Sequence, residues 1–66
     1  YAMAFAENLK KMRESKGITQ ADLAKQVYVS QPMIAQYEAE IRVPSAPTAL
    51  AIAKALGTTF EKLMEG

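Results

Sequence analysis

Sixty-six residues confine the chain to a single domain. It holds no cysteine and no histidine, which excludes a disulfide framework and leaves a zinc site without its usual ligands. The formal net charge of +1 neither marks nor excludes a nucleic-acid partner, because only charge local to a contact face counts.

A domain of this size buries about 60% of its unfolded surface, so a packed set of helices must carry the fold, with or without a second subunit. The longest apolar run is far short of the ~20 residues that a membrane helix needs. No secretory signal is visible, and a cytoplasmic location is expected. The opening Tyr1-Ala2-Met3 is unusual, with Met3 placed as an initiator would be. Residues 1–4 are therefore expected to form an appended, disordered start, and residues 5–66 the folded domain.

The first helical pattern is "FAENLKKMRESKG". Phe5, Leu9 and Met12 recur at helical spacing, Lys10, Lys11 and Glu14 fall off that stripe, and Gly17 ends it. Thr19 caps a second helix, with Asp22 three residues on as an acidic capping-box partner. Leu23, Ala24 and Val27 form its inner face. Tyr28 to Ser30 is a short connector, and Ser30 caps a third helix with Pro32 in its first turn, where a missing N–H costs little. Ile34 and Tyr37 point inward.

A loop with two prolines follows, "AEIRVPSAP". Ser45 is placed to cap a fourth helix, with Pro47 in its first turn. Ala49, Leu50, Ile52, Ala53 and Leu56 give that helix a wide apolar face, which predicts deep burial. Gly57 ends it, and Thr59 caps a short fifth helix carrying Phe60, Leu63 and Met64. No alternating β-branched run and no internal repeat is present, so the class is all-α with five helices.

The connector between helices two and three is the specific feature. Three residues cannot turn the chain fully back, so the two helices cross steeply in a helix-turn-helix. Ala24 is small where they must approach, and Val29 is an apolar plug for the gap. Both helices open with a hydroxyl residue and a glutamine, Thr19-Gln20 and Ser30-Gln31. Helix N-termini expose unpaired N–H groups and a partial positive charge, which suit phosphate. Either glutamine alone reads equally as a polar residue tolerated after a cap. The two together, at this spacing and in this motif, favour a DNA-facing role.

The run from Leu9 to Met64 resembles the lambda-repressor and Cro-like helix-turn-helix family of phage repressors and bacterial regulators. The resemblance rests on "GITQADLA", "VSQPMIAQYE" and "IAKALGTTFEKLM" and covers nearly the whole chain. It implies a five-helix lambda-repressor-like DNA-binding domain, with helix three, about residues 31–39, lying in the major groove. Gln31, Pro32 and Gln36 are then expected at base edges. Gln20 is expected to touch a phosphate and brace Gln31, whose planar amide matches the N6 and N7 of adenine. Pro32 can at most touch a thymine methyl. Ser30, Met33, Arg42 and Ser45 are expected near phosphates, although Met33 equally suits partial packing. Lys10 and Lys25 are nearby cations that equally suit a solvated surface. The resemblance also implies an ion pair between Arg13 and Glu38 across the fold.

Three positions depart from the family pattern. Tyr28 stands where glycine is frequent, and a left-handed backbone there costs tyrosine roughly 1 kcal/mol. Ala39 and Glu40 replace a frequent Asn-Gly, which removes a polar phosphate contact and adds negative charge near DNA. A homodimer reading a palindromic operator is expected, with half-sites ~34 Å apart. Its interface would come from Phe60, Leu63 and Met64 or from Ile41 and Val43.

The resulting expectation is a sequence-specific regulator of transcription, of repressor type, bound to double-stranded DNA. An antitoxin or a restriction-system controller would bind DNA in the same way. The alternative of a different class is a protein-interaction module that kept the fold with weak or no DNA binding, and Ala39, Glu40 and the near-neutral charge favour it. No enzyme is expected, because Ser15, Ser30 and Ser45 have no base in any pattern and no Gly-rich phosphate loop is present. No cofactor, metal, membrane or small-molecule ligand is expected either.

Overall fold

The computed structural model describes residues 2–65. Five helices follow in order: α1 (Ala2–Ser15), α2 (Gln20–Val27), α3 (Gln31–Glu38), α4 (Ala46–Ala55) and α5 (Phe60–Met64). Among the described residues there is no strand. The fold is the all-α, five-helix arrangement with a helix-turn-helix at α2 and α3.

Local chemistry sets most boundaries. Thr19 and Asp22 form a reciprocal capping box at α2: the Asp22 N–H donates to Thr19 Oγ1 (3.0 Å), and the Thr19 N–H donates to the Asp22 carboxylate (3.3 Å). Ser30 Oγ accepts from the Met33 N–H (3.3 Å), and Thr59 Oγ1 accepts from the Lys62 N–H (3.1 Å). Gly17 and Gly57 take positive φ (69° and 68°) just after α1 and α4. There the N–H of Ile18 returns to Arg13 O (3.3 Å), and that of Thr58 returns to Ala53 O (2.9 Å).

Ser45 departs from expectation. It occupies the N-cap position of α4, but its side chain does not cap the helix. Its hydroxyl instead donates to Thr48 Oγ1 (3.2 Å), a neighbouring hydroxyl competing with the backbone for the same serine. The start of α1 also differs, because Ala2 to Ala4 belong to the helix that the apolar stripe begins at Phe5.

The core joins all five helices. Phe5, Leu9, Leu23, Ile34, Ile52, Leu56 and Leu63 are fully buried, and Ala24, Ala49 and Ala53 allow close approach between helices. Phe5 of α1 meets Tyr37 of α3 edge-on, with ring centroids 6.4 Å apart. Val29 is half-buried against this cluster, as a plug in the turn should be. Helix α2 packs on α3 and α4, α1 packs on α3 and α5, and α5 closes against α4.

Two apolar expectations need correction. Leu50 is 51% exposed, so the inward face of α4 is narrower than its composition suggests. Leu63 lies in the core and Phe60 and Met64 are packed against it, so α5 directs its apolar residues inward rather than toward a second subunit. Asn8 holds that helix in place, since its Nδ2 donates to Leu63 O (2.8 Å) and Glu65 O (2.7 Å). Both carbonyls lie at the C-terminal end of α5, where a helix leaves acceptors unpaired.

Candidate nucleic-acid interface

Helices α2 and α3 start close together, and their first residues are joined. Gln31 Nε2 donates to Gln20 Oε1 (2.8 Å) across eleven residues of chain. Gln20 Nε2 in turn donates to Glu38 Oε1 (3.1 Å). The expected bracing of Gln31 by Gln20 is therefore present in the structure. Sequence reading did not anticipate the link from Gln20 to Glu38, because eighteen residues and a change of helix separate them.

Beneath these glutamines lies the ion pair. Arg13 Nε donates to Glu38 Oε2 (2.6 Å) and Nη2 to Glu38 Oε1 (3.1 Å), a two-pronged carboxylate grip. Its third arm, Nη1, donates to Ile18 O (2.8 Å) in the loop before α2. The two side chains are 11% and 5% exposed. The hydrogen bond to Glu38 raises the Arg13 pKa, against the opposing effect of burial. One guanidinium thus ties α1, the loop before α2, and the end of α3 together.

The outward residues divide by exposure. Gln31 and Pro32 are exposed, whereas Gln36 and Met33 are half-buried, Met33 against the core. Pro32 lacks a backbone N–H, so the first turn of α3 offers fewer donors to an anion than an ordinary helix start. The Ser30 hydroxyl oxygen is engaged with Met33 but keeps its own proton free to donate. Arg42 is exposed beyond α3, and its N–H lies 3.4 Å from Gln36 O. Ser45 is exposed too, its hydroxyl proton given to Thr48. Gln31, Gln20 and the Arg13–Glu38 pair therefore form one hydrogen-bonded region, and among the described residues no side-chain hydrogen bond joins Ser30, Gln36, Arg42 or Ser45 to it.

Two non-glycine residues hold a left-handed backbone, Tyr28 (φ 60°) in the turn and Glu40 (φ 64°) after α3. They are the positions where the family favours glycine. The turn has not adjusted to Tyr28, and the ring, 94% exposed, covers no core edge. Glu40 sits where α3 terminates, with the Ile41 N–H returning to Gln36 O (2.9 Å).

A pair of short helices across a three-residue turn, with their first polar residues hydrogen-bonded and Arg42 exposed in the loop beyond, defines a helix-turn-helix domain. The helix-turn-helix family profile matches residues 9–63. The chain belongs to this lambda-repressor and Cro-like helix-turn-helix family. It is 34% identical over 64 residues to the HTH-type transcriptional activator BcrR of Enterococcus faecalis, covering 97% of this chain and 31% of that protein. It is 34% identical over 62 residues to the HTH-type transcriptional regulator YqaE of Bacillus subtilis, covering 94% of this chain and 53% of the other. The chain thus spans about a third to a half of these two relatives. The P22 c2 repressor, solved in complex with a synthetic operator, superposes with a TM-score of 0.89 at 34% identity over 94% of each chain. No helix among the described residues is long and apolar enough to cross a membrane.

Proposed function

We propose that this chain is a sequence-specific regulator of transcription that reads double-stranded DNA with α3 in the major groove. The observation that carries the reading is the 2.8 Å hydrogen bond between Gln31 and Gln20 at the mouths of α3 and α2. It leaves one Gln31 N–H and its Oε1 free on an exposed residue, a donor and an acceptor in one plane, which is the pattern that adenine complements. Gln31, Pro32 and Gln36 face bases in this reading. Gln20, Ser30, Met33, Arg42 and Ser45 face the phosphates, with the second N–H of Gln20 still available beside its bond to Glu38.

The regulator acts as a repressor, bound as a homodimer to a palindromic operator. The likeness to the P22 c2 repressor spans 94% of both chains, which favours that sign over the activator BcrR, of which 31% is covered. One recognition helix with few cations supplies little affinity, so two half-sites about 34 Å apart supply the rest. Ile41 and Val43 are among the exposed apolar residues open to a second copy.

Selection of bound duplexes from a random pool tests the reading, followed by titration of the winner against Gln31→Ala at several salt concentrations. The expected result is a palindromic consensus whose binding weakens with salt, and a mutant that loses about 1–3 kcal/mol of discrimination at one position per half-site. A folded protein that enriches no sequence at low salt would refute it and would favour the protein-interaction reading.

A further inference from the structure

Glu38 closes α3, at the opposite end from Gln31, and is nearly buried. A continuous run of hydrogen bonds nevertheless joins them. Glu38 accepts from Arg13 and from Gln20 Nε2, and Gln20 Oε1 accepts from Gln31 Nε2. The two ends of this chain are chemically unlike. A carboxylate gripped by a guanidinium only accepts, whereas a side-chain amide can donate or accept depending on which way it is turned.

The direction of every bond follows from that asymmetry. The end of the Gln20 amide facing Glu38 must be its –NH2, so its oxygen faces Gln31. That oxygen can only accept, so Gln31 must turn its own –NH2 toward Gln20. Without the acceptor-only group, a half-turn of either amide would exchange oxygen and nitrogen at little cost. A half-turn of Gln31 would reverse the order in which donor and acceptor meet a base edge.

We propose that Glu38, held by Arg13, is a specificity-determining positioning residue: through Gln20 it locks the amide of Gln31 in one orientation and so decides in which order donor and acceptor enter the groove. The target is an adenine edge, with N7 accepting and the N6 amino group donating. Exchanging A·T for T·A puts the thymine methyl and O4 where N7 and N6 stood, so a locked amide sets its oxygen against an acceptor, whereas a freely turning one can bring its –NH2 to O4 and discriminates less. This role rests on the DNA-reading function proposed above and names what sets its selectivity.

The test uses the whole chain with the paired change Arg13→Met and Glu38→Gln, which removes both charges and offers Gln20 a partner of either polarity. Thermal melting establishes that the variant is folded. Two readouts follow. In free, nitrogen-15-labelled protein, the wild type shows widely separated –NH2 proton pairs and slowed exchange for Gln20 and Gln31, and the variant loses both features. On DNA, discrimination between A·T and T·A at the Gln31 position falls about tenfold, while discrimination at the Gln36 position and the salt dependence are kept. If the first variant does not fold, Glu38→Gln alone keeps Arg13 and Gln20 in place, offers Gln20 a partner of either polarity, and gives the same loss at the Gln31 position.

A folded variant with unchanged amide spectra, or one that keeps full discrimination at the Gln31 position, overturns the proposal. A wild-type protein that binds no duplex fails the DNA reading instead, and the relay then stands or falls on the amide spectra of the free protein.

Discussion

Arg13 and Glu38, twenty-five residues apart, meet in a two-pronged ion pair (2.6 and 3.1 Å) that fastens the end of α1 to the end of α3. Little of either side chain reaches solvent. Desolvation offsets much of the attraction of such a pair, but removing one partner leaves the other charge buried and alone. Arg13→Met or Glu38→Leu singly should cost about 3 kcal/mol in chemical denaturation. The double variant should lose less than the sum by about 1 kcal/mol or more. Because Glu38 raises the Arg13 pKa, the guanidinium's contribution is complete below its ordinary pKa and is lost only as pH rises through the still higher folded value. The coupling should therefore be the same at about pH 6 and about pH 9. Additive losses would show that the two charges act independently.

Tyr28 and Glu40 carry left-handed backbone without the residue that tolerates it. The Tyr28 ring makes no compensating contact, being almost wholly exposed. Tyr28→Gly should stabilise the fold by about 0.5–1 kcal/mol, the relief of strain exceeding the entropy that glycine adds to the unfolded chain. Glu40→Gly should stabilise by a similar amount and, in the proposed docking, also tighten DNA binding, since it removes a negative charge from the loop beyond α3. Melting temperature and operator titration separate the two effects, because Tyr28→Gly should leave affinity unchanged.

The helix caps differ in a way that stability measurements can resolve. Thr19 takes part in a complete capping box, so Thr19→Ala should cost about 1 kcal/mol. Ser45 makes no side-chain cap bond, and Ser45→Ala should cost only about 0.5 kcal/mol or less. Equal losses at the two sites would mean that Ser45 caps α4 in solution.

Arg42 is exposed in the loop beyond α3, where its charge is open to a phosphate. Arg42→Ala should weaken binding by a similar factor on every duplex, specific or not. The slope of log affinity against log salt should fall by about one per half-site. A loss confined to one operator sequence would instead place Arg42 at a base edge.

What the sequence determined lies within a few residues of itself. Thr19, Ser30 and Thr59 cap their helices, Gly17 and Gly57 end theirs, and the three-residue connector holds α2 and α3 together. Caps and turns depend on backbone groups two to four residues away, so local reading reaches them. Resemblance to a family extended that reach to the Arg13–Glu38 pair and the bracing of Gln31 by Gln20. Tertiary structure alone decided that Leu50 faces solvent while Leu63 enters the core, because burial depends on which distant helix arrives beside each face. It alone brought Gln20 of α2 within hydrogen-bond reach of Glu38. That last contact follows from how α1, α2 and α3 pack around one guanidinium, a geometry that no spacing along the chain encodes.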